Sequence, residues 1–301
     1  MHFVERDWLS ANHILFLEGD GATIVDTGYV SHAAHTLQLL EHLIGKRSLT
    51  RILNTHLHSD HCGGNAALQT RWPQVQTWIA PGPWPHVQNW DPEALSYIPT
   101  GQDCPRFRAD HVLCPGSSIR LGAHDWHIHA APGHDPHAIV LFEPQRRLLI
   151  SADALWAHGF GVVFPEIEGF DAFAEVAATL DLIEQLQPRW VLPGHGPAFG
   201  DVQRALATAR QRLHQFAQAP IQHAEYAAKV LLKYKLLEWQ HRPVTQVQAW
   251  CAQTPYMAML HSRYFHTHTM HQWLDQLMDA LVSRGAATRE VHAGIPMLSN
   301  R

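Results

Sequence analysis

Short apolar runs separated by turn residues fill the first 200 or so positions, with the lengths and spacing of strands rather than of long helices. The run His13-Ile14-Leu15-Phe16-Leu17-Glu18, the turn Gly19-Asp20-Gly21 and the run Ala22-Thr23-Ile24-Val25 predict a β-hairpin. Between 31 and 44, Ala34, Leu37, Leu40 and Leu43 recur on one helical face, and Gly45 stops the helix. Further strands are expected at 51–55, 75–80, 118–121, 126–130, 138–142, 147–150 and 189–192, which together predict sheets covered by helices. Residues 81–116 hold seven of the chain's 19 prolines and three of its 19 glycines, so a long irregular excursion is expected there. Beyond about 220 the period becomes helical, with Ala227, Val230, Leu231, Tyr234 and Leu237 on one face and Trp273, Leu274, Leu277, Met278 and Leu281 on another. A short hairpin over 288–298 follows the stop at Gly285. The pattern predicts two domains, 1–220 and a helical 221–301.

Composition narrows the class. A chain of 301 residues that is 46% hydrophobic and 16% charged is neither disordered nor a disulfide mini-scaffold. Residues 1–220 carry 14 basic and 22 acidic side chains, residues 221–301 carry 8 and 5, and no Lys/Arg stripe suited to a phosphate backbone stands out. No run approaches the roughly 18–20 apolar residues that span a bilayer, and the first residues lack a basic segment followed by an apolar one. The four cysteines form no CxxC pair, which suits a reducing compartment, so a cytoplasmic protein without a membrane partner is expected. Histidine is the outlier: 25 of them exceed the 22 lysines and arginines, and metal ligation is the chemistry that would use them.

The stretch Thr55-His56-Leu57-His58-Ser59-Asp60-His61-Cys62-Gly63-Gly64 places four nitrogen or oxygen donors within six residues, after a strand and at the opening of a helix. Extended backbone turns His56 and His58 to the same side, and the following turn brings Asp60 and His61 round, so one segment can feed two metal ions. Three more donors close strands or precede them: His134 in Ala131-Pro132-Gly133-His134, Asp153 after Leu149-Ile150-Ser151-Ala152, and His195 in Leu192-Pro193-Gly194-His195-Gly196. Glycine beside His134 and His195 lets backbone approach such a site without a Cβ in the way.

With these residues in this order, and with Asp26-Thr27-Gly28 as an early turn, the sequence resembles the metallo-β-lactamase superfamily over roughly residues 10–200, on its glyoxalase II-like, small metallo-hydrolase side. The resemblance implies an α+β fold, the αββα sandwich, with a helical, winged-helix-like appendage at the C-terminal end. It implies that His56, His58 and His134 hold one metal ion, that Asp60, His61 and His195 hold a second, and that Asp153 bridges them. The cofactor expected is two Zn²⁺, with iron or manganese as substitutes. The function expected is a metal-dependent hydrolase that uses a metal-bridging hydroxide on an ester, thioester or lactone, with Asp60 orienting that nucleophile.

Beyond the seven donors, His137 and His158 are candidate contacts to a small-molecule substrate, since each follows a donor on a rim loop. The run Gly159-Phe160-Gly161-Val162-Val163-Phe164-Pro165 after the aspartate is apolar where glyoxalase II enzymes usually carry a basic residue, which weakens glutathione recognition and suits a less polar acyl group. Tails of this kind also occur in a group of endoribonucleases, so a metal-dependent ribonuclease or phosphodiesterase is the rival enzyme, with nucleic acid as its partner. Behind it stand a mononuclear-iron sulfur dioxygenase and a non-catalytic metal-binding sensor, and a homodimer is the assembly to test.

Overall fold

Alternation along the strands sorts apolar side chains onto two faces of two sheets, and the sorting builds four layers. The computed structural model describes residues 1–301. Six strands form the first sheet in chain order: β1 (His2–Val4), β2 (His13–Glu18), β3 (Gly21–Val25), β4 (Ser48–Leu53), β5 (Gln76–Ile79) and β6 (His111–Val112). The first three pair antiparallel, with the β2–β3 hairpin turning at Gly19-Asp20, and β3 to β6 pair parallel. The second sheet contains β7 (Ser118–Leu121), β8 (His124–Ala130), β9 (Ile139–Glu143), β10 (Leu148–Ala152) and β11 (Trp190–Pro193). Its pairs are antiparallel except β10 with β11.

Period two decides which residue faces which layer. Ile14 and Phe16 of β2, Val25 of β3 and Leu53 of β4 meet Ile128, Leu141, Ile150 and Leu192 of the second sheet in a core between the sheets. Their neighbours Leu15, Ile24 and Ile52 point the other way, onto Leu40 and Ile44 of the helix Ala33–Ile44 and Leu68 of the helix Asn65–Arg71. On the far side, Val140, Leu149 and Val191 pack on Val176, Leu180 and Ile183 of the helix Ala172–Leu186 and Leu206 of the helix Val202–Gln218. Each such side chain, fully buried, contributes about 1.5–3 kcal/mol of transfer free energy. The result is the helix–sheet–sheet–helix sandwich of the metallo-β-lactamase fold.

The chain divides into two compact units, residues 1–95 with 103–217 and residues 96–102 with 218–301. The second contains the helices Pro220–Trp239, Val244–Gln253, Pro255–Tyr264 and Met270–Ser283, and a sheet of β12 (His241–Pro243), β13 (Ala287–His292) and β14 (Ile295–Asn300) in the order β12-β14-β13. Thr269 and Gln272 form a capping box that starts the last of these helices. In the helix Pro220–Trp239 the buried stripe runs through Ala224, Ala227, Ala228, Leu231, Leu232 and Tyr234, while Val230 and Leu237 of the face read from the sequence are only partly buried. The short helix Tyr97–Thr100 packs on Pro255–Tyr264, and Gly101, at φ +65°, lies against Trp250 and Thr254, which is how a segment of the irregular region joins this unit. No helix is long and apolar enough to cross a membrane.

Candidate metal centre

Strand ends gather the donors. Beyond β4, Thr55 ties the chain to the end of β3: its N–H donates to Asp26 Oδ1 at 2.9 Å and its hydroxyl to Asp26 Oδ2 at 2.8 Å. The chain bends at Thr55 and His56, is extended at His58 and then enters the single helical turn Ser59–Cys62, which carries Asp60 and His61. Behind that turn Gly63 and Gly64 lie so close to the backbone of residues 27–30 that any Cβ would collide with Thr27, Gly28 or Val30. His134 precedes β9, Asp153 follows β10 directly and His195 follows β11, the parallel pairing of β10 and β11 bringing the last two to the same end of the sheet.

All seven donors meet there, in two adjoining groups: His56, His58 and His134, and Asp60, His61, Asp153 and His195, with the ligand atoms of each group within 4.8 Å of one another. His58 Nδ1 lies 3.1 Å from His56 Nε2 and 2.8 Å from His134 Nε2. His195 Nε2 is 3.1 Å from Asp60 Oδ2. Asp153 lies between the groups, with Oδ1 3.5 Å from His61 Nε2 and Oδ2 3.5 Å from His134 Nε2 and 3.8 Å from His195 Nε2.

Outer partners fix which atom of the His134 and His61 rings points inward, whereas His195 Nδ1 is buried without a hydrogen-bond partner. His134 gives its Nδ1–H to the carbonyl of Val162, leaving the Nε2 lone pair in the site. His61 Nδ1 faces Asp26 Oδ2 at 2.8 Å, while its Nε2 is buried with no hydrogen-bond partner. An orphaned buried nitrogen aimed at two carboxylates, Asp60 and Asp153, is what a cation between them would satisfy, and an imidazole–carboxylate donor set suits zinc. Burial disfavours charge on His61 and His195, but carboxylates outweigh it, Asp153, Asp26 and Asp60 holding His61 well above the ordinary histidine range and Asp153 with Asp60 raising His195. In the other group burial, reinforced by the neighbouring histidines, pushes His56 well down and His134 to about 4. One group therefore offers neutral imidazoles, and the other draws positive charge.

Comparison with known proteins identifies the family. The model of the metallo-beta-lactamase superfamily matches residues 6–195. The chain belongs to the metallo-β-lactamase superfamily. It is 31% identical over 117 residues to a hydroxyacylglutathione hydrolase of Legionella pneumophila (strain Corby), a match covering 39% of this chain and 38% of that protein. It is 25% identical over 240 residues to the Beta-lactamase-like protein 2 homolog of Drosophila melanogaster, covering 74% of each chain. The chain thus spans well under half the length of the Legionella relative it matches. Among solved structures, a metallo-beta-lactamase family protein of Thermus thermophilus superposes with a TM-score of 0.59 at 16% identity, over 99% of this chain and 97% of that one, a likeness of fold.

Within this superfamily member, the two rim histidines stand apart from the donor groups. His137 packs its ring against Gly82, where a Cβ would collide with it, and its N–H donates to Asp135 Oδ1 at 2.7 Å. Asp135 itself approaches His58 Nε2, at 3.8 Å. His158 is exposed on the loop after Asp153. Cys62 is buried at the end of its helical turn, with Sγ on the carbonyls of Leu57 and His58.

Three contributors are not marked by the sequence pattern. Asp26, expected to serve only turn geometry, is the partner of His61 and anchors Thr55. Trp8 and Trp156 flank His195, at centroid distances of 5.2 and 5.5 Å. Replacing Asp26 by Asn removes the charge behind His61 while keeping its size, and zinc affinity is expected to fall about 10- to 100-fold in a competition titration with a chromogenic chelator. Unchanged affinity would leave Asp26 as a purely structural residue.

Proposed function

We propose that this protein is a binuclear zinc hydrolase acting on a small-molecule ester, thioester or lactone. The observation that carries the reading is the pair of adjoining donor groups with Asp153 between them. In this reading His56, His58 and His134 hold one ion, Asp60, His61 and His195 the second, and Asp153 contacts both. Bound zinc would supply Lewis acidity, polarising a carbonyl oxygen and lowering the pKa of water toward about 7.

The chain's own groups do the rest. Burial works against ionisation of Asp60, but His61 and His195 lower its pKa on balance, so it is an ionised acceptor able to take a hydrogen bond from an attacking water and orient it. Asp26, Val162 and Thr55 hold the imidazoles in the tautomers that ligation needs. The run after Asp153 is buried and apolar at Phe160, Val162 and Val163 and carries no basic side chain for a glutathione carboxylate, which supports a substrate other than a glutathione thioester. The hydroxyacylglutathione hydrolases among its relatives support thioester chemistry as the class to test first. A cytoplasmic setting belongs to the same reading, supported by four cysteines that form no disulfide.

Zinc-loaded protein is expected to hydrolyse members of a panel of thioesters, esters, lactones, phosphodiesters and β-lactams, with metal content measured on the same sample. Asp60→Ala and His134→Ala should each reduce that rate by at least about a thousandfold. Full activity in both variants would sink the site assignment. Turnover confined to phosphodiesters would favour the nuclease reading, and stoichiometric iron without added zinc would favour the dioxygenase.

A further inference from the structure

The loop joining β1 to β2 presents Trp8 to solvent with 56% of its surface exposed. The loop is held firmly. Arg6 N–H donates to Asn12 Oδ1 at 2.7 Å and Leu9 N–H to Asp7 Oδ1 at 3.0 Å. Ala11 N–H donates to the carbonyl of Asp60 at 2.9 Å, and Asn12 N–H to the carbonyl of Gly194 at 2.7 Å. The Asn12 side-chain amide also donates to the carbonyls of Pro193 and Gly196, at 2.9 and 2.8 Å. Both segments that deliver second-group donors, Asp60 on one and His195 on the other, therefore fix the position of Trp8.

One face of the indole stacks on the His195 ring, with centroids 5.2 Å apart and planes 8° from parallel. Trp8 and Trp156 meet in a T-shaped contact at 5.3 Å and 72°. Trp156 is in turn tied down, its Nε1–H donating to Asp153 Oδ1 at 3.2 Å. On the flank of the other donor group Phe164 lies 6.0 Å from the ring of His58 and 6.3 Å from that of His134. A large apolar ring gains free energy when covered, and this one leaves 56% of its surface exposed beside the donors, on a loop tied to the segments that carry two of them. A pre-positioned aromatic face binds without the ordering cost a mobile one would incur.

We infer that Trp8 is a specificity-determining residue whose open indole face receives the acyl group of the substrate, favouring aryl and medium-chain alkyl groups over acetyl. The inference deepens the hydrolase reading above and rests on it. A flat π-face takes a planar ring in offset stacking or an alkyl chain by contact, and Trp156 and Phe164 add no charge that would select a polar acyl group.

The test compares wild type, Trp8→Phe and Trp8→Ala, all zinc-loaded, on acetyl, hexanoyl and benzoyl thioesters that share one leaving group. Calorimetric binding of acetate, hexanoate and benzoate and zinc content are measured on the same proteins. Wild type is expected to prefer hexanoyl and benzoyl. In Trp8→Ala the hexanoyl-to-acetyl and benzoyl-to-acetyl ratios of kcat/KM should fall about tenfold, through KM, with the carboxylate affinities losing the same discrimination. Trp8→Phe should restore most of it while zinc content stays constant. Unchanged ratios in Trp8→Ala, or an equal loss on all three substrates with lowered zinc, would overturn the inference and leave the hydrolase reading standing. Should wild type cleave none of the thioesters, the hydrolase reading loses its first substrate class and the carboxylates decide the role of Trp8. Discrimination lost in Trp8→Ala then supports it, and equal affinities overturn it.

Discussion

Asp153→Ala is expected to empty the site of metal more completely than loss of any single histidine. Each histidine belongs to one donor group, whereas the Asp153 carboxylate reaches both, one oxygen toward His61 and the other toward His134 and His195. Burial opposes its charge, yet His195 and His61 hold its pKa well below the carboxylate range, so at neutral pH it is an ionised donor that needs no proton removed before it ligates. Without it, the all-histidine group has no anionic donor among its three members, and the second group keeps only Asp60. After dialysis against a mild chelator, zinc is expected to fall from about two ions per chain to less than one, and hydrolysis by about a thousandfold or more. Elemental analysis and rate measurement on the same sample check this, with circular dichroism showing that the variant is folded. Retention of both ions at full rate would remove Asp153 from the centre.

The donors were legible because each lies where local pattern changes: at a strand end, beside glycine, in a segment too short to bend elsewhere. The strands that carry them were legible for the same reason, and β7 to β11 fall within two residues of where the apolar runs placed them. The edges were not. At three and two residues, β1 and β6 are too short to show a period, and only pairing with a neighbour makes them strands. Asp26 read as turn geometry because its partner His61 is distant in sequence, and nothing local to either residue reports the contact. The stacking of Trp8 on His195 joins opposite ends of the domain and was invisible for the same reason. The transfer of residues 96–102 to the second unit depends on Gly101 fitting under Trp250, a matter of shape that composition does not record.

Gly194→Ala tests the centre from the backbone side. Gly194 N–H donates to the carbonyl of Ala152 at 2.8 Å, and its own carbonyl accepts from Asn12 N–H at 2.7 Å, so the residue is clamped between two chain segments. A methyl group there would fall on Asp153 Oδ1, with the Cε1 of His61 and the carbonyl carbon of Ala152 close behind. Asp153 cannot turn aside without leaving His61 or giving up the hydrogen bond from Trp156, and the end of β11 cannot retreat without breaking its bond to the residue before Asp153. Overpacking of this kind costs about 1–3 kcal/mol, which in a domain of this size lowers Tm by about 2–12 °C. Because the colliding atom is itself a donor, zinc affinity should fall along with stability, whereas a collision elsewhere in the core would lower stability alone. Thermal unfolding of the metal-free protein and chelator competition on the loaded protein separate the two effects. A variant that melts with the parent and binds zinc as tightly would show that the backbone has room its contacts deny.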